Sequence, residues 1–208
     1  MKIYGNPLST CTRKVLVTLA EKGQEAELVV LDFAKGDHKQ PAHLARQPFG
    51  VIPSLDDDGF QLYESRAMMR YVDAKYPGTP LVPGDLRARA RMEQWISVEQ
   101  SYISPAAMQI VREVMFKKMM GGGAPDPKVV EAGRAKLSHG LDVLDKALAK
   151  DPYLAGSTFS LADVTYLPYL EYLFPSEAGD LVTSRANVGA WWKRISERPT
   201  WKKVAQRA

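Results

Sequence analysis

The chain lacks the groups that would announce a disulfide scaffold, a membrane protein or a nucleic-acid binder. Its one cysteine, Cys11 among 208 residues, excludes an intrachain disulfide and suits a reducing compartment. Neither the opening Met1-Lys2-Ile3-Tyr4 nor any later stretch has an apolar run long enough for a signal peptide or a membrane span. No Lys/Arg run stands out: 28 basic against 24 acidic residues leave a net charge of +4, the balance of a mildly basic soluble protein. His43 and His139 have no sequence partners that suggest a metal site or a catalytic triad. Internal repeats and low-complexity tracts are absent as well. What remains is a 45% apolar, 25% charged composition, enough for a globular core. The expectation is a cytoplasmic protein of one large or two small domains, with no metal, nucleic-acid or membrane partner.

Prolines and glycines punctuate the rest. Residues 2–5 read as a short strand, and Pro7-Leu8-Ser9-Thr10 as a turn capping a helix. Val15, Leu16, Leu19 and Ala20 recur there at helical spacing, with Gly23 past the end. Residues 27–33 are β-rich, so a parallel β–α–β unit with a right-handed crossover is expected. Residues 37–46 are polar and suggest one irregular helix. Ile52-Pro53 opens a strand, Asp56-Asp57-Asp58-Gly59 reverses it, residues 60–63 return, and Glu64-Ser65 starts a helix to about Lys75. The order β-α-β-α-β-β-α is thioredoxin-like and occupies residues 1–77.

Gly78, Pro80, Pro83 and Gly84 make residues 78–86 a linker. Beyond it strand signals vanish, and residues 87–208 read as an all-α domain; the fold class is α/β plus all-α. A long helix to about Met120 should kink at Pro105, and a second should span 128–148 after Gly121-Gly122-Gly123-Ala124-Pro125. Ser160-Leu161-Ala162-Asp163 has capping-box spacing and opens a helix toward Tyr172, kinked or shortened at Pro168. Short helices around 188–195 and 201–207 close the chain.

Chemistry concentrates in Gln47-Pro48-Phe49-Gly50-Val51-Ile52-Pro53-Ser54-Leu55 and the Tyr63-Glu64-Ser65-Arg66 that follows. Proline cannot donate to a sheet ladder, so Pro53 belongs at a strand's first residue. An X-Pro bond there can be cis, a geometry that would turn the Ile52 N–H and C=O outward to pair with an extended peptide. Ser65, at a helix start, offers a hydroxyl and a backbone N–H to a carboxylate. Ser9-Thr10-Cys11 opens the first helix, where the dipole favours negative charge by about 0.3–1 kcal/mol. Together these pieces describe a receptor for a small acidic peptide.

These segments resemble the glutathione site of glutathione transferases, most closely the phi class, of bacterial or plant type. The similarity spans nearly the whole chain and includes Gly36-Asp37-His38-Lys39, Tyr153-Leu154-Ala155-Gly156 and Phe159-Ser160-Leu161-Ala162-Asp163. It implies a detoxifying transferase that binds glutathione as co-substrate and conjugates it to an apolar electrophile. Glutathione would lie against His38, Lys39, Val51, Ile52, Pro53, Glu64 and Ser65. Val51 stands where phi sequences usually carry glutamine, which implies weakened affinity. Ser9, whose offsets from Lys2 and Gly23 match the phi-class serine without a gap, would donate to the sulfur. The electrophile pocket would lie between the domains, lined by Leu8, Phe33, Met115, Phe116 and Met119. Phe49 would anchor a homodimer, since related classes insert an aromatic from this position into the partner.

Alternatives stay open at this point. Ser9 or Thr10 could merely cap the helix. Cys11 matches, with one residue of slippage, the cysteine of beta-class enzymes, and would then serve thiol–disulfide exchange or peroxide reduction. A non-catalytic glutathione or ligand carrier would keep the same fold.

Overall fold

Alternation builds the first strand, β1 (Lys2–Gly5): Ile3 and Gly5 are buried while Lys2 faces solvent. Gly5 is needed because Thr12 lies against it; a Cβ there would stand 2.5 Å from Thr12 Oγ1. That close approach seats α1 (Thr10–Glu21), which Ser9 caps by accepting the Thr12 N–H at 3.3 Å. The helix stops at Lys22, where Gly23 follows with φ +65°. β2 (Glu27–Val30) runs parallel to β1, with Ile3 opposite Leu28.

The polar stretch that follows divides into a 3-10 turn, Asp37–Lys39, and a single helical turn, α2 (Pro41–Leu44). Gln40 separates them in an extended conformation, as a residue before proline prefers. β3 (Ser54–Asp57) and β4 (Phe60–Tyr63) form a hairpin whose Asp58 and Gly59 both have positive φ, the twist a two-residue turn requires. The sheet order is β2-β1-β3-β4, with β3 antiparallel to both neighbours. This is the expected thioredoxin-like arrangement. α3 (Ser65–Lys75) packs beside α1 over a core of Ile3, Val15, Leu55, Met68, Met69 and Val72, all fully buried.

A buried ion pair closes the far end of these helices. Lys22 Nζ lies 3.0 Å from Asp73, which also accepts the N–H groups of Leu81 and Val82 at 2.9 and 3.0 Å. The start of the proline-rich linker is thereby tied down.

The second unit is helical throughout. α4 (Leu86–Val98) is capped by Asp85, and the expected disturbance at Pro105 takes the form of a π turn, Glu99–Ile103, just ahead of α5 (Ser104–Val111). The wider turn accommodates a ring with no N–H to give. A second π turn, Arg112–Phe116, leads to α6 (Lys117–Met119). α7 (Pro127–Leu148) follows the glycine run.

α8 (Leu161–Leu173) continues past Pro168 without being shortened there, and almost every residue of it is buried. Its start is a capping box between Ser160 and Asp163. Asp163 also accepts the Leu154 N–H at 3.1 Å and the Trp191 indole at 2.9 Å, joining the loop before α8 to the helix after it. α9 (Asp180–Thr183), a short helix without a clear sequence signal, and α10 (Ala186–Ser196) complete this unit.

α11 (Pro199–Ala205) returns to α1. The Glu21 carboxylate receives Arg198 through two bonds of 2.7 and 2.6 Å, and the Thr200 hydroxyl as well. The Arg13 guanidinium lies 4.6 Å above the Trp201 ring. Accordingly, the described residues group into two compact units, Met1–Val82 with 198–206, and Pro83–Glu197. This computed structural model describes residues 1–206. Among them no helix is long and apolar enough to cross a membrane.

Candidate functional site

Strand direction gathers the candidate residues of the first unit. β1 and β4 are parallel to each other through β3, and Tyr4, Ser54 and Tyr63 lie abreast. β2 runs with β1 and ends opposite Gly5. The segments 6–9, 31–53 and Glu64 therefore all leave from one edge of the sheet, and α1 and α3 both begin there. Two helix N-termini, each with unpaired N–H groups and partial positive charge, face the same rim.

Ser9 is set by a turn: its N–H reaches Asn6 O at 2.9 Å, and the Asn6 side chain accepts the Leu8 N–H at 2.9 Å and donates to Leu31 O at 3.3 Å. Ser9 Oγ accepts from Thr12, and its own proton has no acceptor among the described residues. Cys11 sits two residues further, within the first turn and half-buried.

The Ile52–Pro53 bond is cis. Pro53 is buried and the β3 ladder begins only at Ser54, so Ile52 makes no backbone hydrogen bond among the described residues. Across the hairpin, Glu64 holds φ +69° without a glycine's freedom. Such a conformation costs about 1–3 kcal/mol and persists only where its surroundings enforce it. Here it turns the chain from β4 into α3, whose N-terminus no side chain caps. Ser65, the first helical residue, is 4% exposed.

The loop between β2 and β3 supplies the other contacts. The His38 ring stacks on Phe33, centroids 4.3 Å apart. Gly50, at φ +60°, lets the loop close on Lys39: a Cβ there would come within 2.9 Å of the lysine Cδ and Nζ. Lys39 Nζ reaches Phe49 O at 3.5 Å. Gln47, fully buried, accepts the Phe49 N–H at 2.7 Å and holds out the Phe49 ring, which is 68% exposed and edge-on to Tyr63. Val51 exposes its side chain, while its carbonyl lies 2.7 Å from His43 Nε2.

Ser9, His38, Lys39, Val51, Ile52, Pro53, Glu64 and Ser65 thus belong to one rim, together with Leu8 and Phe33, whose apolar side chains are exposed. Met115, Phe116 and Met119 belong to the second unit. There Phe116 is edge-on to Tyr172, and Met115 and Met119 line a cavity of about 530 Å³. The supporting roles of three residues were not legible in the sequence. Asn6-Pro7 carries a turn signal that could have pointed to Asn6; nothing in the sequence marks His43 or Gln47.

Comparison with known proteins gives one consistent answer. A family described as "Glutathione S-transferase, N-terminal domain" matches residues 3–80, and one described as "Glutathione S-transferase, C-terminal domain" matches 103–199. Glutathione S-transferase F9 of Arabidopsis thaliana is 41% identical over 207 residues, covering 98% of this chain and 95% of that protein. The crystal structure of glutathione transferase F7 from Populus trichocarpa superposes with a TM-score of 0.93 at 41% identity, over 99% and 98% of the two chains. Glutathione S-transferase I from maize, solved in complex with an atrazine glutathione conjugate, gives 0.92 at 36%, over 99% and 96%.

Proposed function

The chain belongs to the glutathione S-transferase family, close to its phi class, and from that footing we propose how its own residues work. It is a transferase that conjugates glutathione. We propose that the tripeptide lies along the rim where α1 and α3 begin. Ile52 offers its unpaired backbone groups, Glu64 and Ser65 receive the γ-glutamyl end, and His38 with Lys39 receives the glycine carboxylate. The two uncapped or half-capped helix ends favour the ligand's negative charges.

Ser9 donates a hydrogen bond from its hydroxyl to the sulfur and holds it as thiolate, the thiol proton leaving to solvent. A free thiol, with a pKa of about 8.5, is mostly protonated near neutrality, so each unit removed is about 1.4 kcal/mol of preferential stabilisation. The thiolate then attacks an apolar electrophile, for which Leu8 and Phe33 on this rim, and Met115, Phe116 and Met119 of the second unit, are the candidates. The observation that carries the assignment is the placement of Ser9: its hydroxyl oxygen caps α1 by accepting the Thr12 N–H, and its own proton stays available.

The test is a pair of variants in two assays. Ser9→Ala should lower kcat/KM for conjugation about 30-fold, roughly 2 kcal/mol for a lost bond to a charged group, and raise the apparent pKa of bound glutathione. Cys11→Ala should leave conjugation within twofold. Loss of activity only with Cys11→Ala, in a disulfide-reduction assay, assigns the site to thiol–disulfide exchange instead.

The protein is proposed to act as a homodimer in the cytoplasm, a setting that its single cysteine suits. Phe49 is the proposed anchor. Its complement is a groove of about 810 Å³ on the second unit between Val98, Tyr102, Ala106 and Val143, of which Tyr102 is 66% exposed. Sedimentation should give a dimer, and Phe49→Ala should weaken it at least tenfold; an unchanged dimer removes Phe49 from the interface.

A further inference from the structure

The carbonyl of Val51 and the N–H of Ile52 belong to one peptide unit. Among the described residues only the Ile52–Pro53 bond is cis, so the Val51–Ile52 unit is trans, and its two polar groups point in opposite directions. His43 holds the first of them. It is 1% exposed, and its Nε2 lies 2.7 Å from Val51 O. A carbonyl oxygen only accepts, so Nε2 carries the proton and donates. Nδ1 is buried with no hydrogen-bond partner, so the ring is held through Nε2 alone.

The second group, the Ile52 N–H, points away from the ring and has no partner among the described residues. His43 is also the only buried residue of α2, a single turn of helix. A leucine or phenylalanine would fill that space without leaving a buried nitrogen unsatisfied. The imidazole therefore offers something that volume alone does not.

We infer that His43 is a positioning residue for glutathione: by pinning the Val51 carbonyl it fixes the peptide plane that aims the Ile52 N–H at the tripeptide. It touches neither the ligand nor the sulfur. The inference rests on the reading that glutathione lies along this rim, and it adds the residue that orients the backbone donor there. One bond is involved, so the effect falls on glutathione binding and not on the chemical step.

His43→Phe keeps a ring of similar size and removes the donor. It should raise KM for glutathione about tenfold, while kcat at saturating glutathione and KM for the electrophile stay within twofold. His43→Gln, whose amide extends to the same carbonyl, should recover most of that loss with no change in unfolding midpoint relative to His43→Phe. Calorimetry separates the possible failures. Absence of heat between the unmodified protein and reduced glutathione overturns the glutathione reading and the inference with it. Normal binding by the unmodified protein and equal binding by His43→Phe overturns the inference alone. Equal losses in both variants, with a lowered unfolding midpoint, assign His43 to packing and also overturn it.

Discussion

Both units bury an aspartate at a structural joint, but in opposite electrostatic settings. In the first, Asp57 at the end of β3 meets Lys75 and the Tyr71 hydroxyl, and Asp73 meets Lys22. In the second, Asp163 has neutral donors: the N–H groups of Leu154 and Ser160, the Ser160 hydroxyl and the Trp191 indole. The Lys75 ammonium, then the Tyr71 hydroxyl, holds the Asp57 carboxyl below the usual carboxylate value. Burial pushes Asp163 up, against the pull of its four donors. The difference reflects what each unit does. Lys22 and Lys75 stand at the C-terminal ends of α1 and α3, the negative ends of the helix dipoles, so cations occupy one end of each helix. The positive ends are left open at the opposite edge, where an anionic ligand is proposed to bind. The second unit has no such polarity to serve at α8, and there the carboxylate works as a hub for hydrogen bonds.

Removing the hub should be the costliest single change. Asp163→Ala strands two backbone N–H groups, a hydroxyl and an indole in the interior, and should cost about 4 kcal/mol in urea unfolding. A loss under 1 kcal/mol would mean that those donors find other partners. Lys22→Met comes next, at about 3 kcal/mol, because it leaves the buried Asp73 charge with only backbone donors. If Lys22→Met is neutral, the ion pair is not what closes the first unit.

The smallest effect sharpens the contrast most. Asp57, with its folded value lowered, contributes stability that is present above the ordinary carboxylate range and lost as pH falls through the lowered value. Asp163, with its value raised, contributes below the ordinary range and loses that contribution as pH rises through the raised value. Asp57→Asn should therefore flatten the acid limb of the stability curve, and Asp163→Asn should steepen it, each by about 1 kcal/mol between pH 3 and 6. Urea midpoints across that range read both, and shifts of the same sign would break the comparison.

Local signals made much of this legible beforehand. The hairpin was announced by Asp57-Asp58-Gly59, the helix starts by Ser9 and Ser160, and the corner by Ile52-Pro53, because each is a rule about neighbouring residues. The π turn at Arg112–Phe116 was not, since no proline marks it, and α9 is a single turn without periodicity. Pro168 does not shorten the helix: in an almost wholly buried α8 the packing outweighs the usual penalty of a proline. At the site, Glu64 gives no sign of its positive φ, which the strand before it and the helix after it impose together. Nor does composition reveal that His43 reaches back to a carbonyl eight residues on, or that Glu21 waits for Arg198.

That last pairing has a consequence for synthesis. A ribosome that has released the first 82 residues has delivered every strand of the sheet and the helix that carries Ser9, yet the flank of that helix still lacks Arg198, Thr200 and Trp201. The half that begins first is finished last, after the whole second unit has emerged. A nascent chain stalled before residue 198 should therefore remain open to protease near Glu21, and one in which Arg198, Thr200 and Trp201 have left the exit tunnel should not.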